Sequence, residues 1–460
     1  MVLTLGSCTV GPDFLRPSID AGANWKEPHA VPAARLPDAW WNLFNDRDLT
    51  RLELSALAAN SDLAAAKARV DTARALVGVD RSRLFPTLNL SGSAGVSRLS
   101  ESSATRNIPA GFPIELESNR YRSSFELAYD ADLWGRNKRL LEASFAQVDA
   151  SINMLEWQRL GVATEVARQY FLLRGLDTQQ AVLEDTIRSR KTTLDIQQSK
   201  ADAGLIDSLT VSQCRTELEL ARNDLASVER QRGSAEHALA VLCGRRPSDF
   251  SLSRRPISGP LPLIRPGLPA AVLNRRPDVR AAEQNLRAAN ARIGVAQAAF
   301  YPNFSLTSGA GLESLDVKSF LNLESRILSL GAGLVAPVFD GGSNKSNFRA
   351  AVSRRDEALA NYRNSLLVAL REVEDALVDL KGLAGSRRAL GEAVTSAKDT
   401  RRLSQERYDK GLSSYLEVVD AGRTVLRIEL VIAQLDAQQR ITLAALAKAL
   451  GGGWSGVRQD

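Results

Sequence analysis

The sequence predicts a mixed membrane protein, mainly α-helical, in which long coiled-coil helices are joined to four transmembrane β-strands per protomer. Three observations predict it. Large parts of the 460-residue chain are written twice, each copy switches from helical to strand periodicity at a proline, and each then holds a long proline-free run.

The repeat comes first because it organises everything else. Adding 216 carries residues 60–97 onto 276–313 without a gap, placing Asp62 on Asp278, Gly78 on Gly294, Pro86 on Pro302 and Leu90 on Leu306. Adding 207 carries 138–250 onto 345–457, with Lys138 on Lys345, Glu165 on Glu372, Gly175 on Gly382 and Gly204 on Gly411. Such correspondence reads as an internal tandem duplication. The chain then divides into an N-terminal lipoprotein-like segment and belt (1–49), a first repeat (50–243), a Pro/Gly-rich belt linker (244–269) and a second repeat with a C-terminal tail (270–460).

Within each repeat the elements follow from period and punctuation. Before Pro86 and Pro302 the chain is Ala-rich with helical spacing; after them apolar and small polar residues alternate. The first copy has strands at about 86–98 and 121–132, with Leu88, Leu90, Ala94 and Val96 on one face and Tyr121, Phe125, Leu127 and Tyr129 on the partner. The second has a helix at 270–300 and strands at about 302–313 and 327–338, the last with Leu328, Leu330, Ala332 and Leu334 in line. Strands of about ten residues are long enough to cross a bilayer at a tilt.

The remaining runs are helices: 138–203 and 208–243 in the first copy, 345–410 and 414–450 in the second. A run of roughly 65 residues makes a rod of about 100 Å at 1.5 Å per residue. Ala163, Val166, Tyr170 and Leu173 are spaced 3, 4, 3, as are Leu370, Val373, Leu377 and Leu380, the spacing of a coiled-coil seam. Gly204 and Gly411 end the long runs, as glycine does at helix C-termini.

Composition narrows the function. The chain is 44% hydrophobic and 24% charged, with a net charge of +6 spread over interleaved signs. Its densest basic clusters are pairs such as Arg254-Arg255 and Arg275-Arg276, too short for a nucleic-acid tract. No run of 18 apolar residues exists, which excludes a transmembrane helix but not a β-barrel. His29 and His237 are the only histidines, and there is no metal-ligand spacing, phosphate loop or nucleophile elbow, so no enzyme, metal or cofactor is expected. Glu126 and Asp130, on a strand, fit the wall of a wet pore better than a catalytic pair.

Four strands cannot close a barrel, and an open edge in hydrocarbon leaves backbone groups unpaired. The protomer must therefore share its barrel with copies of itself. Two copies give eight strands and three give twelve; an eight-stranded barrel is filled by its own side chains, so a conducting pore favours three. The alternative is a half-buried sheet in a soluble periplasmic coiled-coil scaffold or adaptor.

The segments NRRPDVRAAEQNLRAANARIGVAQAAFYPNFSL, KGLSSYLEVVDAGRTVL and CTVGPDFLRP together resemble TolC-like outer-membrane factors, over essentially the whole chain. CTVGPDFLRP points to the lipoprotein branch, the NodT-type efflux lipoproteins. The resemblance implies a homotrimer with a twelve-stranded barrel in the outer membrane and a long α-helical tunnel in the periplasm. It implies a passive exit duct of a tripartite efflux system, docked to a periplasmic adaptor (membrane fusion protein) and an inner-membrane pump, usually of the RND class. Cys8, closing the lipobox-like LTLGSC, would be acylated and anchored in outer-membrane lipid. Only seven residues precede it, too few for a signal peptide, so the chain was trimmed or its start placed late.

The hairpin tips resemble the family's adaptor-contact loops, at Gly204, Leu205 and Ile206 and at Gly411, Leu412 and Ser413. Where the tips differ between copies, Arg407, Tyr408 and Asp420 replace Lys200, Ala201 and Gln213. On a threefold axis, three Asp420 carboxylates would form a like-charge ring, costly to close unless Arg407 pairs them, with Tyr408 narrowing the bore. Matching Arg, Tyr and Asp positions hold the periplasmic entrance shut in the family; the plain alternative is a surface ion pair and ordinary packing.

Overall fold

The computed structural model describes residues 9–18, 22, 25–26, 36–100, 116–267, 269 and 275–453. Among the described residues, seven α-helices and four strands follow in order: α1 (Arg47–Ala59), α2 (Ser61–Ser82), β1 (Thr87–Arg98), β2 (Glu117–Asp130), α3 (Arg136–Asp202), α4 (Ser208–Leu242), α5 (Pro277–Ala298), β3 (Asn303–Ser314), β4 (Arg326–Val335), α6 (Ser343–Asp409) and α7 (Tyr415–Ala449).

Equivalent elements keep the offsets of the sequence. The 67-residue helices α3 and α6 and the 35-residue helices α4 and α7 begin and end 207 residues apart. α2 and α5, and β1 and β3, are displaced by 216 at both ends. Joints repeat as well. Asn137 donates its side-chain amide to Arg83 O, and Asn344 donates to Ala299 O. Asn60 donates to Leu242 O, where Arg276 donates to Ala449 O. Gly244 lies against the carbonyl of Ala59, and a Cβ on Gly451 would come within 2.8 Å of Arg275 O, so both joints need glycine for close approach.

The strands form one antiparallel sheet in the order β1-β2-β3-β4. Register keeps one face apolar across all four: Leu90 lies opposite Phe125, Phe125 opposite Ala310, and Ala310 opposite Leu328. That face is bare, with Leu328 84% and Leu330 86% exposed. The other face carries Ser91 opposite Ser124 and Ser124 opposite Gly311. β2 starts at Glu117, ahead of the tyrosine at 121 where apolar alternation begins, because pairing runs on to the Arg98–Glu117 ion pair at 3.5 Å. β4 stops at Val335, opposite Asn303 and two residues before Pro337, which has no N–H for the ladder.

The chain forms two compact units. One holds residues 1–17, 70–150 and 282–362, including the sheet; the other holds 18–69, 151–281 and 363–460. The main apolar core lies in the second unit, where Ala163, Val166, Tyr170 and Leu173 of the α3 seam are buried with Trp40, Leu239, Val373 and Leu446. Arg174 and Arg232 clamp the Pro-rich linker to α3 and α4: both bind Asp177, and they donate to Ser253 O and Leu252 O, each at 2.7 Å. Burial, with Asp46 accepting the Tyr170 hydroxyl, raises that phenol to about 12.

Candidate gate, docking tips and anchor strap

Both hairpin tips are built by the same helix ending. In the first, Leu205 N donates to Lys200 O and Gly204 N to Ala201 O, each at 2.9 Å; in the second, Leu412 N donates to Arg407 O and Gly411 N to Tyr408 O. This is a Schellman ending, whose C′ residue takes positive φ; Gly204 has φ +73° and Gly411 φ +70°. A Cβ at either glycine would meet open space, so conformation rather than crowding demands glycine. Leu205 and Leu412 project from the tips, 73% and 66% exposed, while Ile206 and Ser413 are half-buried and the Ser413 hydroxyl has no partner among the described residues. Leu209 and Leu416, also related by 207, extend the exposed apolar surface.

Behind the tips, side chains tie one hairpin to the other. Tyr408 donates its hydroxyl to Gln197 Oε1 at 3.2 Å and meets Tyr415 edge-on, ring centroids 5.2 Å apart. Burial pushes the Tyr408 phenol up, and pushes Tyr415 up further, with the hydrogen bond to Cys214 adding to it. Glu217 of α4 accepts from Arg423 of α7 at 2.8 Å and pairs with Arg190 of α3 at 3.0 Å. Burial lowers Arg190, whereas the more exposed Arg423 is raised by the hydrogen bond it donates to Glu217. Asp420, largely exposed, meets Arg423 at 3.5 Å. Arg407 is exposed, and its guanidinium has no ion pair among the described residues.

The structure thus places Tyr408 in the tie between hairpins and Asp420 beside it, but within one chain it does not bring Arg407 to Asp420. The Arg190–Glu217–Arg423 link escaped sequence reasoning. Its one available signal was the comparison of copies: these positions align with Ala397, Thr424 and Thr216.

Cys8 lies outside the described residues. The strap that follows it is well held in the first unit. Val10 N donates to Trp134 O at 3.1 Å, and Arg139 reaches Val10 O, Gly11 O and Asp13. Asn290 donates to Pro12 O at 2.8 Å, Arg16 pairs with Glu283 at 2.9 Å, and Gly11 lies against Gly294. Trp134 closes the junction between strand and helix, donating to Pro302 O at 2.8 Å and stacking on Tyr301.

Comparison with known proteins agrees with this architecture. The family model described as outer membrane efflux protein matches residues 54–245 and 268–452. The outer membrane protein OprJ of Pseudomonas aeruginosa is 32% identical over 99% of this chain and 95% of its own length. The solvent efflux pump outer membrane protein SrpC of Pseudomonas putida is 34% identical over 99% and 97%. Among solved structures, the outer-membrane channel OprN superposes with a TM-score of 0.88 at 28% identity, covering 97% of this chain and 100% of that one. The open state of the Neisseria gonorrhoeae MtrE outer membrane channel gives 0.84 at 27% identity over 98% and 100%. A bare apolar sheet, long paired helices and these relatives lead to one conclusion: the chain belongs to the outer membrane efflux protein family and is an outer-membrane exit duct for efflux, not an enzyme.

Proposed function

We propose that the duct is a passive homotrimer in which three duplicated chains pool four strands each into one twelve-stranded transmembrane barrel. The sheet carries this reading. Its apolar face is exposed from β1 to β4, and both outer strands present an unpaired edge. In hydrocarbon each unpaired backbone group costs several kcal/mol, so the edges must meet the edges of other copies. The repeated joints at Asn137 and Asn344, and at Gly244 and Gly451, support descent of the two halves from one unit.

The helical hairpins reach into the periplasm and dock, through the exposed Leu205 and Leu412 and their flanking Gly204, Ile206, Gly411 and Ser413, on a periplasmic adaptor coupled to an inner-membrane pump of the RND class. Tyr408 and Asp420 close the entrance, with Arg407 free to pair with Asp420 of a neighbouring copy. Cys8 carries the lipid anchor: the strap fixes Val10 to Trp134, two residues from Cys8 and at the end of a membrane strand. Relatives named for solvents, toluene and antibiotics suit a duct that reads little of its cargo.

The mass of the detergent-solubilised protein and its conductance in planar bilayers test the reading. A trimer that conducts supports it; a stable monomer without conductance refutes it.

A further inference from the structure

The polar face of the sheet distributes its charges unevenly. On β1 and β4 that face carries only uncharged residues, with Ser91, Ser93, Gly331 and Gly333 at its middle. Long charged side chains occur on β2 and at the end of β3, and four of them form one cluster. Arg122 lies 3.6 Å from Glu313 and 3.9 Å from Glu126, and Arg120 lies 3.9 Å from Glu313. The hydroxyls of Ser91 and Ser124 donate to Glu126 Oε1, each at 3.2 Å.

These pairs are half-exposed and loosely spaced, the kind worth about 0–1 kcal/mol, so they contribute little to holding the sheet together. Against a background of Ser, Thr and Gly, however, they are the side chains that reach furthest from the wall. They also balance, two guanidiniums against two carboxylates in each chain. Charges of opposite sign within 4 Å cancel over distances beyond the Debye length of about 8 Å in physiological salt.

We propose that Arg122 sets the ion selectivity of the duct's exit, by neutralising Glu126 and Glu313 in a charge-balanced ring that lets cargo and ions of either sign pass. This rests on the trimeric-barrel reading, which repeats the cluster three times around the bore. Without Arg122 each chain leaves one carboxylate uncompensated, and a ring of carboxylates selects cations, as a ring of guanidiniums selects anions. A potential of only about one kT at the ring raises the local cation-to-anion ratio about sevenfold, because the two Boltzmann factors multiply.

The test is the reversal potential of the purified full-length protein in planar bilayers under a potassium chloride gradient. Arg122→Gln is expected to raise the cation-to-anion permeability ratio, Glu126→Gln to lower it, and the double variant to restore the wild-type value. Arg122→Lys, which keeps the charge, is expected to leave the ratio unchanged, and this separates charge from a packing role. Channels whose reversal potential is the same in wild type, Arg122→Gln and Glu126→Gln overturn the assignment while leaving the duct intact. Absence of channels in every variant, wild type included, together with a monomeric mass, overturns the duct and the assignment together.

Discussion

Glu53 is the least comfortable side chain in the protein. It sits in α1, is 0% exposed, and neither carboxylate oxygen has a hydrogen-bond partner among the described residues. Nearby, the Cys243 thiol is pushed up by burial and also by Glu53, against the opposing pull of Arg245. An ionised, unpaired carboxylate in such a place costs far more than a protonated one, and burial raises the Glu53 carboxyl well above its ordinary range. The folded state therefore holds a proton that the unfolded chain releases near pH 4.3. The sign follows: proton-linked stability is complete below about pH 4.3 and is lost as pH climbs toward the raised folded value, at about 1.4 kcal/mol per pH unit between the two. Glu53→Gln keeps the size of the side chain without the proton. Its stability relative to wild type is expected to grow with pH, and the thermal midpoint of the purified protein and amide exchange across α1 both report it. Curves for wild type and Glu53→Gln that run parallel from about pH 5 to 8 would refute the reasoning, because they would mean that the carboxylate is paired.

Three further outcomes follow from the tips and the core. Tyr408→Ala combined with Asp420→Ala removes the hydroxyl bound to Gln197 and the exposed carboxylate, and single-channel conductance is expected to rise; unchanged conductance counts against the gate. Gly204→Val or Gly411→Val forces a β-branched residue into positive φ, which costs about 1–2 kcal/mol at the tip. Drug-accumulation assays are expected to show lost efflux from a folded, membrane-inserted protein, and intact efflux would remove the docking assignment. Arg276 is fully buried between Asp278, Glu372, the carbonyl of Ala449 and the Trp157 ring, so Arg276→Ala is expected to destabilise by about 3 kcal/mol, read as a lower thermal midpoint.

Much of this architecture was legible because it is local and repeated. Pro86 and Pro302 stand immediately before β1 and β3, and Gly204 and Gly411 sit at positive φ in the tips. Alternation of Leu88, Leu90, Ala94 and Val96 sufficed to orient β1, since a period of two assigns each side chain a face. What stayed hidden depends on partners far along the chain. Arg139 holds Val10 O and Asp13 from more than a hundred residues away, and no periodicity marks it. Arg423 finds Glu217 across 206 residues. Arg276 stood in a motif whose resemblance was plain, yet its burial against Trp157 could not be read from neighbours alone. Glu53 was invisible for the opposite reason: a single carboxylate on an amphipathic helix reads as surface until its face is known.

The two copies agree at some of the joints between helices and differ where the hairpins meet. Asn137 and Asn344 make the same bond, and Gly244 and Gly451 the same close approach. At the tips the pattern reverses. Tyr408 aligns with Ala201, Tyr415 with Ser208, Arg423 with Thr216, and Glu217 with Thr424, so none of these four side chains has a like counterpart. In a trimer of duplicated chains, shared joints make a near-sixfold ring of hairpins, in which neighbouring hairpins are almost interchangeable. Unshared contacts, among them those of Tyr408 and Glu217, would reduce that ring to threefold symmetry. An entrance that closes by moving one hairpin of each pair while its partner stays needs this asymmetry, because interchangeable hairpins would have no reason to move differently. Divergence at the tips is therefore in keeping with a gate at this end of the duct.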